Sequence, residues 1–281
     1  MEKSVVKISS HALSDYQRCP KRFYYSTQRK IERATYNKSF DRGTLFGRML
    51  ESYYNDVRDK LWHPGKALEL VEEHIEKSEL SDADKQLLPR VFFQYLKHYR
   101  HESWKPKVTE LPFSFVLYED DKYLFVYEGT MDLIVEIPNV SKIAVIDHKT
   151  YSVWSEIYEY NNQALGYCYA MHTDMFLYNY IGFTETKKPE DNFRRLPKKF
   201  TKAQLDEWKD NTIYWFKRIA DDAEYRKSLN CTTKYGVCEM SKLCETPGAA
   251  TIESLIQLYY RPNEYGSWGK EKILESQKTS P

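Results

Sequence analysis

Asp147 and Lys149 stand two apart at the end of an apolar run, AVIDHKT (residues 144–150). In a strand, residues i and i+2 point to the same side. This carboxylate and ammonium therefore share a face, and His148 turns away. Such a pair has two readings: a plain ion pair, or a metal ligand beside a group that activates or orients a water. Asp132 opens a second apolar run, MDLIVEI, shortly after Gly129, a residue that permits a tight turn or a bulge. A carboxylate at the start of one strand and another at the end of the next can converge. Two carboxylates with water oxygens suit a hard cation such as Mg²⁺ or Mn²⁺. The competing reading makes Asp132 a turn cap and Asp147 no more than the partner of Lys149.

Gln163 and Tyr167, in NNQALGYCYA, lie four apart and share one face of a helix that follows the DHKT strand. Glu51, in RGTLFGRMLESYY, sits on an earlier helix that could bring a third acid to the same place. Taken singly, each is more often a surface residue than a functional one. Of the five cysteines, Cys231, Cys238 and Cys244 fall together in NCTTKYGVCEMSKLCE. Clustered thiols in a chain of cytosolic character point to a metal or a cluster rather than to disulfides. Cys168, on a tyrosine-rich helix, reads as an ordinary buried thiol. Three cysteines leave a four-thiolate site one ligand short, and Cys19 of the RCP motif is the natural fourth. Zinc and a 4Fe–4S cluster both accept four thiolates, and spacing does not separate them.

The elements that must position these residues follow from periodicity. The amino-terminal third is helical in spacing: SSHALSDYQRCPKRFYYS, GTLFGRMLESYYNDVRDKLW, ALELVEEHIEKSEL and ADKQLLPRVFFQYLKHYRHE, with Pro89 bending or interrupting the last. From about residue 109 the runs shorten and fill with Val, Ile, Phe and Tyr. TELPFSFVLYED, KYLFVYEG, MDLIVEIP and KIAVIDHK read as strands of a mostly antiparallel meander. Residues 156–171 return to helical spacing, MFLYNYIGFTE reads as a strand, and a Thr cap opens the long helix that begins TKAQLDEW. The order predicts an α/β (α+β) core with a helical elaboration in front.

At 281 residues with 41% hydrophobic and 30% charged residues, the chain is long enough for a sizeable core and too apolar for a disordered class. No apolar run approaches the length of a membrane-spanning helix, and no secretory leader is visible, so the expectation is no membrane association and a cytoplasmic location, or host cytoplasm if the source is viral. The net charge of +1 argues against a strongly cationic nucleic-acid coat protein. Basic residues are nevertheless concentrated: residues 1–34 carry eight Lys/Arg against three acids, and 187–202 carry seven against two. Such patches can bind phosphates, and they can equally be solvated faces. No phosphate-binding loop of the G-x4-G-K-[ST] type occurs, so the chain carries no P-loop motor of its own.

Taken in order, Asp132 in GTMD, Asp147-x-Lys149 in IDHKT and Gln163-x3-Tyr167 resemble the central motifs of RecB-type PD-(D/E)XK nucleases. SSHALSDYQRCPKRFYYS is similar to that family's opening signature, and GTLFGRMLE matches its G-T-x-x-H-x-x-L-E helix in spacing. The resemblance spans roughly residues 8–245, and one early cysteine followed by three late ones is similar to the iron–sulfur branch, which includes AddB and CRISPR-associated exonucleases. It implies a restriction-endonuclease-like core with a central mixed sheet flanked by helices, in a single nuclease domain over 1–281. Within it, 1–108 would be the helical front, 109–185 the catalytic sheet and helix, and 186–281 the helical part with the cysteine cluster.

The resemblance further implies Mg²⁺ or Mn²⁺ on Asp132, Asp147 and the His148 backbone carbonyl, with Glu51 as an added ligand. It implies Lys149 positioning the attacking water, Gln163 orienting Lys149 or a water, and Tyr167 touching DNA. A 4Fe–4S cluster on Cys19, Cys231, Cys238 and Cys244 would staple the chain, with zinc the second choice. The implied activity is a DNA exonuclease acting on ends or single strands in recombination, repair, CRISPR or phage DNA processing, with a helicase or similar partner wherever unwinding is needed. One departure supports an alternative. Gly47 stands where the family has a metal-binding His, as in a nuclease-like DNA-binding or assembly subunit with an impaired site.

Overall fold

The computed structural model describes residues 3–34, 38–76, 78, 80–152, 160–183, 189–229, 231–233 and 236–262. In chain order its elements are β1 (Ser4–Ser9), α1 (Ser10–Arg18), α2 (Pro20–Phe23), a π-helical turn (Tyr24–Gln28), β2 (Ile31–Arg33), α3 (Lys38–Arg58), α4 (Lys66–Glu76) and α5 (Asp82–His98). There follow β3 (Lys105–Glu119), β4 (Tyr123–Ile137), β5 (Ser141–Tyr151), α6 (Asn162–Ala170), β6 (Met175–Gly182), α7 (Pro189–Asn192), β7 (Phe193–Lys199) and α8 (Lys202–Asp221). The chain closes with β8 (Thr232–Thr233), β9 (Gly236–Val237), α9 (Ser241–Glu245), α10 (Ala249–Tyr259) and β10 (Tyr260–Pro262). This is a mixed α/β fold, as the order of sequence patterns predicts.

The chain divides into two compact units. The first comprises Asn37–Leu111 and Thr130–Leu205. Its sheet is mixed: the second half of β4 runs antiparallel to β5, β5 parallel to β6, and β6 antiparallel to β7. Every residue of β6 is buried, which is why MFLYNYIG shows no alternation. Helices α3, α4 and α5 flank this sheet, burying Phe46, Met49 and Leu50 with Leu88 and Phe92 in one core that also holds Leu133, Ile146 and Leu177. Helix α5 runs through Pro89 without interruption. A single proline removes only one intrahelical donor, and the buried face formed by Leu87, Leu88, Val91, Phe92 and Tyr95 keeps the helix seated.

The second unit comprises Met1–Tyr36, Pro112–Gly129 and Asp206–Pro281. Here β1 runs parallel to the first half of β4, from Ser4 beside Tyr123 to Ser9 beside Glu128. Ser9 then caps α1 by accepting from Ala12 N–H at 3.3 Å. Helix α8 packs edge-on, Trp208 against Tyr127 at 5.1 Å and Phe216 against Phe125 at 5.4 Å between ring centroids. A smaller cluster of Tyr25, Ile31, Met240, Leu243 and Tyr260 gathers where β10 pairs antiparallel with β2.

Two expectations change. KYLFVYEG and MDLIVEIP form one strand, β4, and Gly129 makes no turn within it. Each half of β4 has its own partner, β1 up to Glu128 and β5 from Leu133. Strands β1 and β7 occupy segments read as basic patch or helix lead-in, because each is short and carries charge at edge positions. The helix predicted over 156–171 is described from Asn162 onward, and residues 156–159 lie outside the described residues, as do 187–188 of the second basic patch. Among the described residues, no helix is long and apolar enough to cross a membrane.

Candidate active site

The apolar run of β5 carries Asp147 inside with it. Ala144, Val145 and Ile146 are fully buried, and Asp147 is 1% exposed. The β4–β5 ladder ends with Leu133 facing Ile146, so Asp132 and Asp147 are the next residues out on each strand. Helix α6 is set beside them by its cap: the Asn161 side chain accepts from the backbone N–H groups of Gln163 and Ala164, both at 3.1 Å, and donates to the Tyr178 hydroxyl at 2.8 Å. The first turn of α6 thereby brings Gln163 to the carboxylate.

The contacts close on themselves. Gln163 Nε2 donates to Asp147 Oδ1 at 2.8 Å, Lys149 Nζ donates to the same oxygen at 3.1 Å, and Lys149 Nζ donates to Gln163 Oε1 at 3.0 Å. Lys149 Nζ also lies 2.8 Å from Asp147 Oδ2. That second oxygen is buried and makes no aligned hydrogen bond. The lysine side chain is 39% exposed, so the triangle is reached from solvent at its ammonium. Asp132 is held by its neighbour strand: Oδ2 accepts from the His148 backbone N–H at 2.7 Å.

Electrostatics mark the pair as costly. Burial, and then the charge of Asp147, push the Asp132 pKa well above the usual carboxylate range, against the pull of Lys149 and the His148 N–H. Burial also raises Asp147, with Lys149 opposing. Two carboxylates crowded in this way disfavour joint ionisation. A cation beside them would relieve the strain, and Asp147 Oδ2, which makes no aligned hydrogen bond, offers it a ligand. The donor set therefore fits a hard divalent ion. Metal ions of the expected kind would take Asp132, Asp147 and the His148 carbonyl as protein ligands.

Two expected residues are placed differently. Tyr167 is 5% exposed, its hydroxyl donates to the Thr130 carbonyl at 2.7 Å, and Gln163 Nε2 approaches that hydroxyl at 3.4 Å. It supports Gln163 and β4 from within. Glu51 is half-buried on α3. Where α3 meets β5 it meets the face turned away from Asp147: a Cβ on Gly43 would stand 2.8 Å from Thr150 Oγ1, and the Tyr54 ring stacks on His148. Among the described residues, no group of three or more His, Cys, Asp or Glu is arranged to hold a metal ion, so Glu51 does not complete a set with the two aspartates. A Cβ on Gly47 would meet nothing within 4 Å.

One acidic residue escaped the sequence reading. Glu110, half-buried on β3, has φ of 45° and its charge bears on both Asp132 and Tyr167. A left-handed non-glycine residue inside a strand is strained. The surrounding stretch TELPF gives no cue beyond the proline two residues later.

In the other unit, Cys19, Cys231, Cys238 and Cys244 line one cavity of about 130 Å³, together with Arg18, Arg22 and Lys227. Cys19 caps the first turn of α2. Burial acts to raise its thiol, but the Ser228 hydroxyl and the backbone N–H groups of Ser228, Arg22 and Lys21 outweigh it, and the net shift is downward. Burial raises Cys244, Lys227 opposes, and the other three cysteines add to the rise. Cys238 N–H donates to the Cys231 carbonyl at 2.7 Å across the β8–β9 hairpin. Cys168 lies apart on α6, fully buried, its thiol pushed up to about 12 by burial. The four thiols thus share one cavity, though they are not arranged to hold a metal ion as they stand.

The family model described as "PD-(D/E)XK nuclease superfamily" matches residues 7–245. Among solved structures, SSO0001 is 16% identical with a TM-score of 0.40, covering 89% of this chain and 90% of its own. The protein from Eubacterium rectale designated "Putative exonuclease" is 14% identical with a TM-score of 0.47, covering 87% and 91%. LHK-Exo, solved with dAMP, is 15% identical with a TM-score of 0.32, covering 63% and 91%. No curated protein matches.

Proposed function

The chain belongs to the PD-(D/E)XK nuclease superfamily, and from that premise we propose that it is a DNA exonuclease dependent on Mg²⁺ or Mn²⁺ and stapled by a 4Fe–4S cluster. The observation that carries the reading is the closed triangle of Asp147, Lys149 and Gln163 with Asp132 held alongside. A divalent ion bound by Asp132, Asp147 and the His148 carbonyl would supply Lewis-acid polarisation of the phosphate and a water made nucleophilic at neutral pH.

The chain's own residues do the rest. Asp147 and Gln163 fix the Lys149 ammonium in a direction set by two hydrogen bonds. From there it orients the attacking water and stabilises charge developing on a non-bridging phosphate oxygen. Because Gln163 binds both Asp147 and Lys149, it holds that ion pair in one orientation. Tyr167 anchors Gln163 to the β4 backbone. In the other unit the four cysteines hold the cluster, and Arg18, Arg22 and Lys227 offset the negative charge of four thiolates. The substrates would be DNA ends or single strands in recombination, repair, CRISPR or phage DNA processing in a cytoplasmic setting, with a helicase partner where unwinding is required.

Gly47 favours one rival. The position faces open space where the resembled family has a ligand, as in a subunit that binds DNA without cutting it. Anaerobically purified protein, incubated with end-labelled linear and circular DNA and Mg²⁺ or Mn²⁺, decides between them. Metal-dependent degradation of linear DNA, lost by about a thousandfold in Asp147→Ala and Lys149→Ala, is the expected result. DNA binding with no cleavage by cluster-loaded protein would replace the exonuclease with the binding subunit.

A further inference from the structure

We propose that His148, Asn179 and Arg195 form a positioning row that fixes the β5 backbone beneath the Asp132–Asp147 carboxylates. The proposal rests on the nuclease reading of that site and adds side chains that touch neither substrate nor ion.

The row is built by strand register. His148 of β5 lies opposite Asn179 of β6, and Asn179 lies opposite Arg195 of β7. Alternation along β5 places all three on the face opposite Asp147 and Lys149. Asn179 is fully buried and uses both ends of its amide. Its Nδ2 donates to His148 Nδ1 and to the Tyr95 hydroxyl, each at 2.9 Å, and its Oδ1 accepts from Arg195 Nε at 3.4 Å. With Asn179 donating, His148 Nδ1 must accept, which selects the neutral ring protonated at Nε2.

The far end of the row is anchored as firmly. The Arg195 guanidinium lies between the rings of Tyr99 and Trp104, 3.4 and 3.7 Å from their centroids, and pairs with Glu102. Its Nη2 also donates to the hydroxyls of Tyr95 and Tyr54, at 3.2 and 3.4 Å. Those two hydroxyls share a hydrogen bond of 2.8 Å. The Tyr54 ring then stacks on the His148 imidazole, 5.9 Å between centroids and 8° from parallel. The imidazole is thus gripped at its edge by Asn179 and on its face by Tyr54.

A buried ionic network of this size is a poor way to gain stability alone, since apolar residues of similar volume often serve as well or better. What it does provide is an imidazole that cannot shift. His148 is the residue whose backbone N–H holds Asp132 Oδ2, and the peptide before it carries Asp147. A fixed ring fixes the peptide planes on which both carboxylates depend. Sub-ångström placement of ligands is what such sites require of their supporting residues.

The test measures Mn²⁺ binding without DNA, from the EPR signal of the free ion, alongside the His148 backbone amide resonance and the thermal midpoint of each variant. Asn179→Leu, close in volume but unable to hydrogen-bond, is expected to weaken Mn²⁺ binding tenfold or more and to move the His148 amide. Asn179→Asp still accepts from Arg195 and from the other tautomer of His148, and is expected to recover binding to within about threefold. A folded Asn179→Leu protein with unchanged Mn²⁺ affinity and an unmoved amide would overturn the proposal, as would an Asp variant as weak as the Leu variant. Should Asn179→Leu fail to fold, the double variant Glu102→Gln, Arg195→Gln carries the same tenfold expectation, and unchanged affinity there overturns the row. Binding abolished by Asp147→Asn yet untouched by the row variants would sink this inference alone. Absence of Mn²⁺ binding by the parent protein would sink the nuclease reading with it.

Discussion

The carboxylate site and the cysteine cavity are built by opposite means. Asp132, Asp147, Lys149 and Gln163 stand on strands and a helix whose backbones are fixed by a deep apolar core, and their side chains already hydrogen-bond one another. The four cysteines come from a helix cap, a two-residue hairpin and a five-residue helix, around an open cavity beside a cluster of only five buried apolar residues. Ordering residues costs about 1–2 kcal/mol each in backbone entropy, and a small cluster offsets little of that. The first site should exist before its ion arrives. The second should depend on its ion for its own structure, as small metal-bound modules do.

The sharpest way to break this contrast is to remove a ligand from each site. With the proposed cluster bound, Cys238→Ser is expected to remove its visible absorbance and to lower the thermal midpoint by about 10 °C or more, in line with a loss of several kcal/mol. Circular dichroism and a melting curve read both. Lys149→Ala should instead abolish cleavage by about a thousandfold while the midpoint moves by no more than a few degrees. Gln163→Ala should cost less, on the order of ten- to a hundredfold, since it acts on the lysine and not on the phosphate. If Cys238→Ser melts like the parent protein, the cavity is preformed and the contrast fails.

How much of this was legible beforehand follows the same division. The strands carrying Asp132 and Asp147 announce themselves by apolar runs, and Gln163 with Tyr167 by a four-residue spacing, because local patterns govern elements that pack on a large core. What sequence spacing could not supply was direction. Tyr167 shares a helix face with Gln163, yet its hydroxyl goes to Thr130, a partner set by sheet register. Glu51 lies on the predicted helix, but α3 meets β5 on the His148 side. Asn179 and Arg195 gave no signal at all, since their alignment with His148 depends on the pairing of three strands distant in sequence. The cysteines are the reverse case. Their residue types alone pointed to one cavity, while the short elements presenting them have almost no periodicity to read.

Gly47 offers a gain instead of a loss. It lies one helical turn beyond Gly43, which meets β5 at Thr150, and a Cβ there meets no atom within 4 Å. Gly47→His therefore has room, and replacing a mid-helix glycine favours the helix by up to about 1 kcal/mol. If its imidazole reaches the Asp132–Asp147 pair, the Mn²⁺ concentration giving half-maximal cleavage should fall several-fold, and a titration of activity against Mn²⁺ measures it. A higher melting point with an unchanged metal requirement would show that the position is a helix site only, and that the site works with its aspartates and His148 carbonyl alone.

The smallest effect tests whether the carboxylate pair is strained in the absence of an ion. Both folded pKa values are raised, by burial first and for Asp132 then by Asp147. Between the unfolded value near about 4 and those higher folded values, the native protein holds more protons than the unfolded chain. Its stability contribution from these groups is thus fully present at low pH and is lost as pH rises through that window. In EDTA, the melting point of the parent protein should carry this downward component above about pH 4, and millimolar Mg²⁺ or Mn²⁺ should offset it by binding the native state. Asp132→Asn keeps an oxygen to accept the His148 N–H and removes the repulsion. It should melt about 2–4 °C higher than the parent protein at neutral pH without metal, with a shallower pH slope and no cleavage. Equal slopes in the two proteins would mean that the aspartates are not crowded, and the carboxylate site would then owe its order to something other than the hydrogen bonds that close it.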